Sequence, residues 1–168
     1  KEAELKISHM AYHDSLTGLP NRRLLSDRIS EMLVRRAPNH LVTVILFDLD
    51  NFKYINDHLG HQAGDDLLKM VANRLLKFIL PNEVIARLGG DEFVLATPEV
   101  TSMQELANRC KALIAYMDEP YLIENQNHYI SLSVGATFSP EQGNTVKELL
   151  KNADLAMYES KTNKKNNN

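Results

Sequence analysis

The stretch Ile85 to Ala96, IARLGGDEFVLA, constrains the fold more than any other part of the chain. Apolar, β-prone residues flank two glycines and two carboxylates. They read as two strands, Val84–Leu88 and Glu92–Thr97, joined by a tight turn at Gly89-Gly90. A second run, LVTVILF at Leu41–Phe47, has almost no polar alternation and ends in Asp48 and Asp50. Strands this apolar are covered on both faces, so the rest of the chain must supply helices to pack on them. Adjacent charges at the tip of such a hairpin then require a chemical reason.

The covering helices are legible from their spacing. Leu25, Ile29, Met32 and Leu33 share one helical face, and Leu67, Leu68, Val71, Leu75, Leu76 and Ile79 repeat at helical intervals until Pro81. Thr101 with Gln104 forms an expected capping box for a helix bearing Leu106, Cys110, Leu113, Ile114 and Met117. Thr145 with Glu148 forms another, before Leu149, Leu150, Ala153 and Met157. The segment YLIENQNHYISLSVGATF reads as two strands joined at Asn125–Asn127, and the opening KEAELKISHMAYHD as the end of a longer helix. The order helix, β, α, ββ, α, ββ, α predicts one α/β domain, a mixed sheet with helices packed on it.

Bulk properties remove several classes. A chain of 168 residues suits one domain, and a formal charge of -3 offers no broad surface for nucleic acid. The longest apolar run is far shorter than the roughly 20 residues that span a bilayer, and no leader pattern opens the chain. No direct membrane contact is expected from this segment. Its single cysteine excludes an internal disulfide; Cys110 is expected as buried filler, consistent with a reducing cytoplasm.

If the Asp48 strand neighbours the hairpin, up to four carboxylates, Asp48, Asp50, Asp91 and Glu92, converge. Like charges at that range call for a divalent cation, and oxygen donors without His or Cys favour Mg²⁺ or Mn²⁺ over zinc. Magnesium held by few carboxylates completes its shell with water and phosphates, which points to a nucleotide. Gly89 and Gly90 leave room for close approach, and Lys53 is placed to neutralise phosphate charge. Each feature alone has a plainer reading: Gly-Gly-Asp as a turn, Asp50 as a helix N-cap, and Asn56, Asp57, His61 and Asp65 as caps or surface groups. Together they define a site. No Walker-type loop occurs, so a nucleotide must be held without one.

These residues resemble the GGDEF domains, the diguanylate cyclases. RLGGDEF at Arg87–Phe93 is the family signature, and DSLTGLPNRR, FDLDNFKYINDHLGHQAGDDLL, SLSVGAT and LLKNADLAMYESK resemble further family blocks in the family's order, from Asp14 to Lys161. The resemblance implies residues 13–162 as the domain, 1–12 as the end of an upstream linker helix and 163–168 as a polar tail. It implies an α+β, nucleotidyl-cyclase-like or ferredoxin-like fold with an antiparallel-rich central sheet flanked by helices. It implies condensation of two GTP into cyclic di-GMP and two pyrophosphates across a homodimer, with two Mg²⁺ or Mn²⁺ per active site. By the same resemblance Asp48, Asp91 and the Leu49 carbonyl hold metal, with Glu92 in support, and Asp91 is the base for the 3′-hydroxyl. Lys53 stabilises transition-state charge; Phe52, Lys53, Gly89, Gly90, Lys161 and Lys165 belong to the phosphate side. Asn56 and Asp65 read the guanine edge, and His61 shapes the pocket.

Two departures from the family pattern stand out. Where the family carries an Arg-x-x-Asp product-inhibition site, this chain has Leu80 and Glu83, so feedback through that site is expected to be absent. After Lys161 the usual Gly-Arg is replaced by Lys164 and Lys165, and lysine keeps the charge without arginine's bidentate fork. The resemblance also implies an upstream sensory domain, an attached effector domain in some members, and a cytoplasmic location with membrane anchoring open. An alternative function is a GTP-binding module that regulates an attached phosphodiesterase without turnover.

Overall fold

The computed structural model describes the backbone of residues 2–166 and the side chains of residues 2–164. In chain order the elements are α1 (Glu2–Tyr12), α2 (Arg22–Val34), β1 (Leu41–Leu49), α3 (Phe52–Leu59), α4 (His61–Phe78), β2 (Val84–Gly89) and β3 (Glu92–Val100). There follow α5 (Met103–Met117), β4 (Tyr121–Ile123), β5 (Gln126–His128), β6 (Leu132–Ser139) and α6 (Val146–Asn166).

The main sheet has the order β2-β3-β1-β6, and every pairing in it is antiparallel. The antiparallel-rich, ferredoxin-like α+β sheet is therefore present, and the mixed sheet expected from element order alone is not. β1 lies between two partners and is buried from Val42 through Leu49, which is why its sequence lacks alternation. One face carries Ile45, Phe47, Phe93 and Leu95 against Leu67, Val71 and Leu75 of α4 and Leu106 and Leu113 of α5. The other carries Val44, Leu46, Val94 and Ala96 against Leu25 and Ile29 of α2 and Leu149, Ala153 and Met157 of α6.

Several local readings shift. YLIENQNHYISLSVGATF yields three strands, because β4 and β5 form their own two-stranded hairpin turned at Glu124-Asn125 and only β6 joins the main sheet. The α5 cap is one residue later than the Thr101–Gln104 box: Glu105 N–H donates to Ser102 Oγ at 3.1 Å, and Thr101 N–H donates to Glu105 Oε2 at 2.8 Å. The Thr145–Glu148 cap forms, with Glu148 N–H donating to Thr145 Oγ1 at 3.1 Å. Leu76 and Ile114, assigned to apolar faces, are exposed, since a stripe wider than its neighbour leaves its flank in solvent. Cys110 is half-buried against the α4/α5 core, and burial raises its thiol pKa. α1 buries no residue, and α6 continues through Asn166, so Asn163 to Asn166 belong to its last turn.

Candidate functional site

Strand register builds the site. Asp48 on β1 lies directly across from Glu92 on β3 and from Ser133 on β6, and Gly89 pairs with Glu92 so that Gly90 and Asp91 form the hairpin turn. Gly89 and Gly90 both have positive φ, 142° and 51°, a backbone that side chains resist. Arg87 pins the turn: its Nε and Nη2 donate to Gly90 O at 3.0 and 2.8 Å, and its Nη1 reaches Asp14 at 2.9 Å. Asp14 also accepts from the Thr17 N–H and hydroxyl, at 2.9 and 2.8 Å, which ties the DSLTGLPN loop to the hairpin. Burial opposes the Asp14 charge, but the Thr17 and Arg87 bonds outweigh it and lower its pKa.

The four carboxylates are neighbours without forming one cluster. Asp50 does not cap α3; its place as N-cap is taken by Asn51, in a left-handed conformation with no side-chain cap bond. Asp50 instead accepts from Ser131 Oγ at 2.7 Å, Ser133 Oγ at 2.6 Å and Lys164 Nζ at 2.9 Å, and these bonds override burial to lower its pKa. Glu92 borders a cavity of about 550 Å³ between α2 and α6 whose lining includes Arg22, Lys147, Lys151 and Asp154. Burial first, then Asp154, Asp48 and Asp91, raise the Glu92 pKa.

Asp48, near the end of β1, and Asp91, in the adjoining β2–β3 turn, remain. The Asp48 side chain is 4% exposed; its Oδ2 pairs with Lys161 Nζ and its Oδ1 is buried with no partner. Burial raises the Asp48 pKa despite that lysine, because the acid sits in the sheet while Lys161 is 42% exposed. Burial also raises Asp91, with Lys161 opposing. Burial works against the Lys161 charge, yet the Asp48 bond, with Asp91 and Asp50 behind it, raises its pKa.

Among the described residues no three His, Cys, Asp or Glu side chains are gathered into a ready metal cage. The donors nevertheless fit a hard divalent cation. They are all oxygen, Asp48 Oδ1 is an orphaned buried acceptor, and a site with so few carboxylates leaves positions for phosphate and water.

The other expected residues cluster at the α3–α4 corner. A Cβ on Gly64 would lie 1.9 Å from Asn56 Oδ1 and 3.4 Å from Phe52 Cζ, so Asn56 and Phe52 pack on the first turn of α4, beside Asp65. Lys53 is exposed on the first turn of α3, and His61 is exposed at the start of α4. The Lys165 side chain lies outside the described residues. Sequence reasoning missed Lys164 and the Ser131–Ser133 pair as partners of Asp50; the i, i+3 spacing of Lys161 and Lys164 opposite the i, i+2 spacing of Asp48 and Asp50 was the available signal. Glu83 is turned inward: its side chain is 1% exposed, pairs with Arg109 and accepts from Leu80 N–H at 2.9 Å.

An antiparallel βαββαβ sheet with an acidic turn beside a buried strand-end aspartate, and cations on the last helix, defines a nucleotidyl-cyclase-like domain. The chain belongs to the GGDEF family: the model described as diguanylate cyclase, GGDEF domain, matches residues 11–167. Signaling protein YkoW of Bacillus subtilis is 41% identical over 98% of this chain and 21% of its own length. Diguanylate cyclase TpbB of Pseudomonas aeruginosa is 38% identical, over 96% of this chain and 38% of its own length. Cyclic di-GMP phosphodiesterase NbdA of the same organism is 37% identical, over 98% of this chain and 21% of its own length. The chain thus spans less than two-fifths of these relatives. The crystal structure of a sensory box/GGDEF family protein from Caulobacter crescentus matches with a TM-score of 0.85 at 36% identity, covering 90% of this chain and 99% of that one. Among the described residues no helix is long and apolar enough to cross a membrane.

Proposed function

We propose that this domain is a diguanylate cyclase that condenses two GTP into cyclic di-GMP and two pyrophosphates. The observation that carries the reading is the β1–β3 register, which sets the buried, half-partnered Asp48 beside the turn bearing Asp91. Asp48, Asp91 and the Leu49 carbonyl would hold Mg²⁺ or Mn²⁺, two per site, with Glu92 at its edge. Bound there, the metal supplies Lewis-acid polarisation of phosphate and acidifies a hydroxyl. Asp91 receives the proton of the attacking 3′-hydroxyl, a task suited by burial that lifts its pKa above the ordinary carboxylate value. The hydroxyl oxygen bonds to the α-phosphorus of the other GTP, and pyrophosphate leaves with the bonding pair.

Lys53, exposed beside the strand end, and Lys161 neutralise the triphosphate, with Lys165 on the same helix and the Gly89-Gly90 turn admitting close approach. Asn56 and Asp65, next to Phe52 and His61, read guanine: a carboxylate accepts from N1–H and N2–H, donors that adenine lacks. Each GTP lies at one half-site, so turnover needs a homodimer. The greater length of the relatives supports a multidomain setting; in this reading an upstream sensory domain controls that pairing, in the cytoplasm, with or without a membrane anchor.

A second reading is favoured by the likeness to NbdA, whose name is that of a phosphodiesterase. In it the domain binds GTP and regulates an attached phosphodiesterase. Chromatography of product from GTP and Mg²⁺ over a range of protein concentrations separates the two. The cyclase reading expects cyclic di-GMP that rises faster than linearly with protein and disappears in Asp91→Asn. GTP binding without product, where dimers are demonstrated, refutes it and leaves the regulatory module.

A further inference from the structure

We propose that Lys161 is a stand-in cation that occupies Asp48 until a divalent metal replaces it, and that the displaced ammonium is then free for the triphosphate. The inference rests on the reading of Asp48 as a metal ligand. Lys161 and Lys164, one turn apart on α6, pair with Asp48 and Asp50, two residues apart on β1. The two rungs differ in what surrounds the acid. Asp50 is fully engaged, by Ser131 Oγ, Ser133 Oγ and Lys164, and Lys164 Nζ also donates to Leu132 O. Asp48 has Lys161 alone on Oδ2 and nothing on Oδ1.

A buried carboxylate with an unengaged oxygen gains by exchanging one monovalent donor for a divalent ion. Lys161 loses little by leaving, because its side chain is already 42% exposed and its head can reach water without movement of the helix. The Lys164 rung holds that end of α6 while the exchange occurs. Asp48 therefore never stands as an unpaired buried charge. Metal binding and release of a phosphate-binding cation become one event.

The test uses Mn²⁺ alone, without nucleotide, followed by electron paramagnetic resonance of the free ion. Lys161→Met removes the competing charge and is expected to bind Mn²⁺ about tenfold more tightly than wild type. Lys164→Met makes the same change of net charge one turn away and is expected to shift affinity much less. Lys161→Arg retains the pair and the wild-type affinity. Equal or weaker binding by Lys161→Met, or an equal gain in Lys164→Met, overturns the proposal. Should Lys161→Met not fold, nitrogen NMR of the wild-type Lys161 ammonium decides. Its signal is expected to move to that of a solvated lysine as Mg²⁺ is added, and an unchanged signal at saturating Mg²⁺ overturns the exchange. Neither readout depends on turnover, so failure here leaves the product assay for cyclic di-GMP to stand or fall separately.

Discussion

Replacing Gly135 by alanine tests the packing that brings α6 to the site. Gly135 lies on β6 opposite Leu46, on the face covered by α6. A Cβ there would sit 2.2 Å from Ala153 O, 2.3 Å from Met157 N and 2.8 Å from Met157 Cα. All three are helix backbone, so no side-chain rotation relieves the clash, and α6 must back away by about an ångström. Overpacking typically costs about 1–3 kcal/mol, and a rigid neighbour places this case at the upper end. At about 2–4 °C per kcal/mol for a domain of this size, the melting temperature should fall by about 6–12 °C. Lys161 is one turn beyond Met157, so the Asp48 pair loosens with the helix. Calorimetry of Gly135→Ala against wild type measures the effect. A melting temperature within about 2 °C of wild type would falsify the claim that bare backbone contact seats α6.

Four other outcomes are expected. Gly64→Ala drives a methyl into Asn56 Oδ1, so GTP affinity, read by calorimetric titration, should drop about tenfold or more while ATP binding stays weak; unchanged GTP affinity would remove Asn56 from the guanine pocket. Asp14 has a lowered folded pKa, so its contribution is present above the ordinary carboxylate value and is lost as pH falls from there through its folded value. Urea unfolding across acidic pH should accordingly show a shallower loss of stability in Asp14→Asn, and parallel curves for the two proteins would contradict the assignment. Arg109→Met strands the buried Glu83 and should cost about 3–5 kcal/mol in urea unfolding, while cyclic di-GMP added to the wild-type reaction should leave the initial rate unchanged. Strong product inhibition would show that a site other than the Leu80–Glu83 pair serves feedback.

The sequence by itself determined the elements whose character depends on local burial and spacing. β1 was legible because a strand covered on both faces has no polar alternation, and α2 and α4 because their apolar residues fall on one helical face. The acidic turn was legible because charges between apolar strands have no structural use. The family blocks carried the rest of the proposed site's membership, down to Asn56 and Asp65. Tertiary structure alone decided how those charges are divided. Asp50 looked like a helix cap, and only the pairing of β1 with β6 brings Ser131 and Ser133 to it, across more than eighty residues of chain. The turn at Asn125 was legible, but the break that separates β5 from β6 was not, because strands of three residues leave no periodic trace. Glu83 read as a vacant regulatory position, and its burial against Arg109 depends on where α5 crosses the α4–β2 connection. Residue chemistry states which groups can react, but hydrogen-bond partners distant in sequence determine which of them remain unsatisfied, and that leaves Asp48 alone with a free buried oxygen among these four carboxylates.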